Sequence, residues 1–352
     1  MSFLTRWTLR VLIGFGVFSG NGTGYAQVQP WPKAEFARGV VYSSWDGTYR
    51  KTRSWRADLI RFKDMGVNWI QIMTFARQPS VNQPFIETST GRPWPRAFVR
   101  AARQAGFRIL LKPHVWSPQF YDGSKRWRGS IQMPTAADWS QWFKAYEQFI
   151  VTQARFAEEM GIEMLSVGLE YVEATKHTAA WRALIKSVRS VYRGQLTYAA
   201  DGNHESDHIA FWDDLDLIGM NGYFALSAPN KTTVGRLLVA WWPRVATLAM
   251  LAARYARPII FTEAGYPSVQ GSIRSPWQWP SGTEVADAEG QRTAYEALLE
   301  ALTPNPWFRG VFWWKYYEHP EGQIPLSHDY TPRHKPAEKL LETWYRQPSK
   351  AR

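Results

Sequence analysis

Short apolar runs alternate with longer amphipathic stretches along most of the chain. The apolar runs have the length of β-strands, and the longer stretches repeat their apolar residues at the spacing of an α-helix. Eight segments are predicted to be strands: 39–45, 67–73, 107–114, 162–170, 195–201, 216–223, 257–263 and 308–314. Seven segments are predicted to be helices: 54–65, 94–105, 138–160, 179–192, 235–255, 289–302 and 334–346. The gap 202–215 has room for a short helix at most.

Eight strands, each followed by a helix or a short substitute, are typical of an α/β protein with a single (β/α)8 TIM barrel. A doubly wound open sheet uses the same alternation, but no G-x-G-x-x-G motif follows the first predicted strand. Glycines also stand where helices should end in a left-handed residue, at positions 66, 106, 161 and 194. We therefore predict one barrel domain over residues 27–352.

The first 26 residues have the features of a secretory signal peptide. Arg6 and Arg10 precede a short apolar run at 11–18, and Ala26 offers a small residue at a cleavage point. The run is shorter than a membrane span, although an uncleaved anchor is the alternative. No other segment is predicted to cross a membrane. We expect a secreted or periplasmic, soluble monomer without a membrane partner.

Composition excludes some classes of chemistry. The 352 residues include no cysteine, so disulfides and thiolate catalysis are ruled out. The net charge of +12 could favour an acidic polysaccharide, but the basic residues are scattered and no nucleic-acid motif is present, so a solvated basic surface is the simpler interpretation. The seven histidines show no H-E-x-x-H pattern. No metal, cofactor or nucleic-acid partner is predicted.

Two glutamates, Glu170 and Glu263, each end a predicted strand, the fourth and the seventh. Burying a carboxylate there is costly, and catalytic groups of a barrel lie at the carboxyl ends of its strands. Strands four and seven lie on opposed sides of an eight-stranded barrel, so the two side chains could meet across its mouth. They are candidates for the carboxyl pair of a glycosidase. Salt-bridged carboxylates at the rim are the alternative.

Further polar and aromatic residues at strand ends or just beyond them are candidates for binding a sugar. Aromatic rings pack against the apolar faces of sugars, and amide or imidazole groups hydrogen-bond their hydroxyls. The predicted substrate-binding residues are Trp45, His114, Trp116, Asn221, Tyr223 and Trp314. His114 could instead hold the loop after the third strand. Long loops at 115–137 and 264–288 are predicted to form the walls of the cleft.

Tryptophans on helical patterns are expected to pack against the barrel rather than to bind substrate. Those residues are Trp142, Trp181, Trp241, Trp242 and Trp344.

Six stretches in this order resemble the retaining clan A glycoside hydrolases, and most closely glycoside hydrolase family 113, the β-mannanases. They are VNWI at 67–70, LKPH at 111–114, VGLE at 167–170, IGMNGY at 218–223, FTEAGY at 261–266 and GVFWW at 310–314. The resemblance extends over about residues 38–320. It implies a barrel enzyme that cleaves a polysaccharide or oligosaccharide.

The resemblance also implies roles for single residues. Glu170 matches the acid/base and Glu263 the nucleophile. Tyr223 occupies the place of a tyrosine that hydrogen-bonds the nucleophile, and Trp314 or its neighbour Trp313 would form the floor of the subsite for the reacting sugar. Because side chains alternate along a strand, only one of the two tryptophans is expected to face the barrel interior.

One departure concerns the residue before the acid/base. The superfamily commonly has an asparagine there that binds the sugar 2-hydroxyl, whereas this chain has Leu169. Asn221 or His114 could supply that contact. The leading interpretation is a retaining endo-β-1,4-mannanase. The alternatives are another β-glycanase, acting on glucan, envelope glycan or exopolysaccharide, and a carbohydrate-binding barrel without turnover.

Overall fold

The computed structural model describes residues 32, 35–43, 54–87, 96–229, 232–317 and 324–346. Eight parallel strands close into a barrel in chain order, with β1 paired to both β2 and β8. The strands are β1 (Ala37–Ser43), β2 (Trp69–Arg77), β3 (Arg108–Trp116), β4 (Met164–Leu169), β5 (Gln195–Asp201), β6 (Ile218–Asn221), β7 (Ile259–Ala264) and β8 (Phe308–Tyr317). The predicted TIM barrel is confirmed. The leader at 1–26 lies outside the described residues and stays a prediction.

In the described part of the chain, seven α-helices surround the barrel, and each corresponds to a predicted helix. They are α1 (Ser54–Met65), α2 (Arg96–Gln104), α3 (Ala136–Met160), α4 (Thr178–Arg189), α5 (Val234–Tyr255), α6 (Ala288–Leu302) and α7 (Pro336–Arg346). Between β5 and β6, where a short helix at most was expected, there is a single 3-10 turn at Trp212–Asp214.

Three of the four glycines predicted to end helices do so in the left-handed conformation. Gly66, Gly106 and Gly161 have φ of 83°, 86° and 64°. Gly194 does not, because α4 ends earlier, at Arg189. Gly194 is required for another reason, since a Cβ there would lie 2.1 Å from the hydroxyl of Tyr192.

Alternation along β8 separates two neighbouring tryptophans. Trp313 points out of the barrel, where its ring stacks on Tyr295 at 3.9 Å and its indole N–H donates to the Tyr345 hydroxyl at 2.7 Å. Trp314 points inward and belongs to the smaller apolar cluster inside the barrel, together with Trp69 and others. The expectation that only one of the pair faces the interior is confirmed.

The helix α5 departs from two expectations. Trp142, Trp181 and Trp241 are fully buried as predicted, but Trp242 on α5 is 75% exposed, so its predicted packing role is wrong. By length and composition α5 is also apolar enough to cross a membrane, whereas no segment after residue 26 was predicted to do so. It nevertheless occupies the place of an outer barrel helix, between β6 and β7.

Close contact between β5 and β6 predicts the effect of Gly219→Ala. A Cβ at Gly219 would lie 2.3 Å from the Thr197 hydroxyl and 2.6 Å from the Tyr198 carbonyl oxygen. Because backbone must shift to relieve this overlap, we expect the free energy of unfolding to fall by about 1–3 kcal/mol in urea denaturation. Gly235→Ala is the control, since no atom lies within 4 Å of a Cβ there. Equal stabilities of the two variants would contradict the steric explanation.

Candidate active site

The backbone turns sharply at the end of β4 and directs Glu170 into the barrel mouth. Leu169 is fully buried in the larger apolar cluster between barrel and helices, and the next residue, Glu170, has φ of 51°. A positive φ is unfavourable for a residue with a side chain, and such strain concentrates at functional sites. The Glu170 N–H donates to the Ala199 carbonyl oxygen at 3.0 Å, which ties the turn to β5.

A buried network holds the residue after the turn. The Tyr171 N–H donates to the Tyr198 hydroxyl at 2.8 Å, and that hydroxyl donates to Glu205 at 3.3 Å. The carboxylate of Glu205 also accepts from the Asp201 N–H at 2.9 Å. Burial raises the pKa of Glu205 well above its ordinary value, and the charge of Glu170 adds to this effect. The network anchors the turn to β5.

The carboxylate of Glu170 is held from two sides. Arg128, in the loop between β3 and α3, approaches its Oε2 with Nε at 3.0 Å and a terminal guanidinium nitrogen at 2.9 Å. Asn221, at the end of β6, donates from Nδ2 to Oε1 at 2.6 Å. Glu170 is 8% exposed, so the ion pair is largely shielded from water.

The carboxylate of Glu263 is held equally closely. Lys112 on β3 contacts its Oε1 at 2.5 Å, and the Tyr223 hydroxyl donates to Oε2 at 2.9 Å. The hydrogen bond from Tyr223 is the one that the family resemblance implied. Glu263 is the penultimate residue of β7 rather than part of the turn after it, because β7 extends to Ala264.

Asn221 and Lys112 connect the two glutamates. The Oδ1 atom of Asn221 accepts from Lys112 Nζ at 3.2 Å and from the Thr262 hydroxyl at 2.9 Å, while its Nδ2 serves Glu170. Two steps of hydrogen bonding therefore separate Glu170 from the cation that holds Glu263. The barrel brings together the carboxylates predicted to meet.

The charges of both carboxylates affect the pKa of the buried Lys112 and of the partly buried Arg128. Burial lowers the pKa of Lys112, while the charges of Glu263 and Glu170 oppose that change. For Arg128, burial would lower the pKa, but the charges of Glu170 and Glu263 outweigh it and the pKa is raised. The mouth thus contains two carboxylates and two compensating cations in one electrostatic group.

His114 lies two residues beyond Lys112 on β3 and is 2% exposed. Neither ring nitrogen has a hydrogen-bond partner among the described residues, so the alternative of a histidine that holds the loop finds no support. Burial lowers the pKa of His114 well below its ordinary value, and the charges of Arg128, Lys112 and Lys315 lower it further. The imidazole is therefore neutral and unsatisfied.

Aromatic side chains surround the mouth. Trp314 is 8% exposed, and the ammonium of Lys315 lies 4.9 Å from its ring centroid. Trp279, from the loop between β7 and α6, packs against Tyr330 at 4.9 Å. Trp116 is half-buried at the end of β3 and stacks on Tyr121, with 6.3 Å between the ring centroids. Trp45 lies outside the described residues and stays a prediction.

Lys112, Arg128 and Glu205 are among the residues of this mouth that were not predicted as site residues. Lys112 could have been found, because it precedes His114 by two positions and so lies on the same side of β3. Arg128 and Glu205 had no such signal, since each reaches the site through a loop. Among the described residues, no group of three histidine, aspartate or glutamate side chains is arranged to hold a metal ion.

The geometry can be compared with known proteins. The family model described as Glycoside Hydrolase Family 113 matches residues 40–335. Among solved structures, the GH113 β-mannanase AaManA from Alicyclobacillus acidocaldarius, in complex with ManMIm, is 28% identical, with a TM-score of 0.76 and coverage of 88% of this chain and 97% of that one. Among curated protein sequences, none matches.

Two more distant structures share the fold. A GH113 β-1,4-mannanase is 24% identical, with a TM-score of 0.77 and coverage of 89% of this chain and all of that one. The β-glucuronidase of Bifidobacterium dentium is 13% identical, with a TM-score of 0.58 and coverage of 88% of this chain but 46% of that one.

The family model covers most of the chain and agrees with a barrel whose mouth holds paired carboxylates and aromatic rings. The chain belongs to glycoside hydrolase family 113 and is a glycoside hydrolase.

Proposed function

We propose that this chain is a retaining β-mannanase in which Glu263 is the nucleophile and Glu170 the acid/base. The observation that carries the proposal is the pair of buried carboxylates at the ends of β4 and β7, linked through Asn221 and Lys112. The similarity to β-mannanases of the same family supports the choice of substrate.

The proposed cycle has two steps. A carboxylate oxygen of Glu263 attacks the anomeric carbon and the glycosidic bond breaks, while Glu170, which carries a proton in this step, gives it to the departing oxygen. Water then attacks the same carbon, Glu170 takes a proton from that water, and the bond to Glu263 breaks. Lys112 and Tyr223 hold the Glu263 carboxylate in orientation for the first step.

Asn221 and His114 are proposed to make the contact with the sugar 2-hydroxyl that an asparagine at position 169 would make. Leu169 packs in the apolar cluster and cannot bind a hydroxyl. Asn221 already contacts Glu170, and His114 offers two ring nitrogens without partners. A sugar hydroxyl would satisfy the histidine and so offset the cost of burying it unpaired.

A second candidate is a β-glycanase whose substrate carries negative charge. Its specific support is a set of three cations around the mouth, each of which lowers the pKa of His114: Lys112, Arg128 and Lys315. Lys112 and Arg128 already neutralise the two glutamates, so the uncharged β-1,4-mannan remains our first choice.

Glu170→Gln and Glu263→Gln should each lower the release of reducing ends from β-1,4-mannan by several orders of magnitude, because each removes a group that moves a proton or forms a bond. Glu173→Gln is the matched control. It makes the same chemical change three residues away, at a surface ion pair with Lys176, and should retain activity near that of the wild type.

Three outcomes of this experiment would separate the hypotheses. Near-normal turnover in either active-site variant would contradict its assigned role. Release from a charged glycan but not from mannan would favour the second candidate. Binding of polysaccharide by the wild-type protein without any product would support a carbohydrate-binding barrel.

His114→Phe should lower kcat/KM by about tenfold, the value of one or two neutral hydrogen bonds. Because the pKa of His114 is lowered well below 6.5, the ring stays neutral above that pH and gains no charge on binding. The loss should therefore be the same factor at pH 6.5 and pH 8. A loss that changes across this range would indicate that His114 acts as a charged group. Thermal unfolding of the variant checks its fold.

A further inference from the structure

The outward side of α5 carries a continuous row of apolar and small residues. We call it the outer stripe: Gly235, Val239, Trp242, Ala246, Met250 and Ala253. Their spacing of three and four residues keeps them on one face of the helix. Val239, Trp242 and Met250 are 72%, 75% and 66% exposed. A tryptophan this exposed, in line with a valine and a methionine, is more than scattered surface apolarity.

The fold does not require the outer stripe. The opposite side of α5 supplies the buried residues that pack against the barrel: Leu237, Trp241, Leu248, Leu251 and Ala252. An outer barrel helix needs only one apolar side, with polar residues on the other. A helix that is apolar on two opposite sides has a second surface to cover.

The charges of α5 all have one sign. The helix has three arginines, Arg236, Arg244 and Arg254, and no aspartate or glutamate. Among the described residues, none of the three forms an ion pair. Arg236 and Arg254 are 18 residues apart, which is five helical turns, so they flank the same edge of the outer stripe. Arg244 lies over the Phe224 ring at 5.2 Å.

We propose that the outer stripe docks onto the surface of an anionic lipid bilayer. The helix would lie in the plane of the headgroups with Trp242, Val239 and Met250 at the edge of the acyl chains. Arginine side chains beside an apolar face can extend to the phosphates, and the net charge of +12 adds attraction at longer range. The proposal revises the expectation that the barrel itself has no membrane partner.

Two other occupants fit the outer stripe less well. A second copy, paired about a two-fold axis, would place the arginines of one α5 against those of the other, with no acidic residue on either helix to compensate. A polysaccharide needs several hydrogen-bonding groups beside its aromatic platform, whereas the side chains of the outer stripe offer a single donor, the indole N–H of Trp242. Neither conflict arises with an anionic lipid surface.

Docking through α5 would leave the barrel mouth accessible. The helix runs along the barrel wall, from the end of β6 back to the start of β7. Its outer side therefore faces away from the barrel axis, at the side of the molecule and not at the mouth. The proposal is also independent of the sugar that is cleaved, because lipid binding can be measured without substrate.

The test is co-sedimentation of the full chain with vesicles of phosphatidylcholine, alone or with about a third phosphatidylglycerol. We expect binding to the anionic vesicles only, reduced about tenfold or more in the double variants Trp242→Gln/Met250→Gln and Arg236→Gln/Arg254→Gln. Ile60→Gln is the control, because Ile60 is 65% exposed on α1 and away from α5. Every variant retains residues 1–26, so this segment cannot cause a difference in vesicle binding between the variants.

Several results would overturn the proposal. Wild-type affinity in both double variants would exclude the outer stripe, and equal binding to neutral vesicles would exclude the anionic headgroup. A dimer of the wild-type protein in light scattering that the Trp242→Gln/Met250→Gln variant abolishes would assign the outer stripe to a second copy. Unchanged thermal unfolding temperatures would show that the variants fold.

Discussion

Carboxylates buried in the mouth of a barrel are tolerable only if nearby cations and donors compensate them, and this requirement organises the site. Glu170 and Glu263 are each less than a tenth exposed, and each has a cation in direct contact, Arg128 and Lys112 respectively. Removing one partner of a buried pair leaves an uncompensated charge, which is strongly unfavourable. One pair therefore holds β3 to β7, and the other holds the loop after β3 to the end of β4.

Asn221 links the two ion pairs and fixes their relative position. An amide can donate and accept at once, and here it donates to Glu170 while accepting from Lys112 and Thr262. The strained backbone at Glu170 is held by β5 in the same manner, through Ala199 and through the hydroxyl of Tyr198. The contacts of Asn221 depend on the closed barrel, because they join β3, the end of β4, β6 and β7 across its mouth.

Two regions of the molecule differ in whether their charged and apolar side chains have partners. At the mouth, charges are paired and aromatic rings are packed, as with Trp314 beside Lys315. On α5, apolar side chains are exposed and arginines have no acidic partner among the described residues. Burial against the barrel explains only one side of α5, and the proposed lipid contact accounts for the other.

The sequence by itself determined the barrel, because apolar runs of strand length and amphipathic stretches of helix length are local properties. It also placed Glu170, Glu263, His114, Asn221 and Trp314 at strand ends, where alternation limits which way each side chain points. It could not assign Arg128, whose contact with Glu170 crosses from a loop to another strand. Nor could it distinguish buried Trp241 from exposed Trp242, because both faces of α5 are apolar and only packing against the barrel selects the one that is covered. Long-range contacts of this kind depend on chain closure, and the tertiary structure alone decided them.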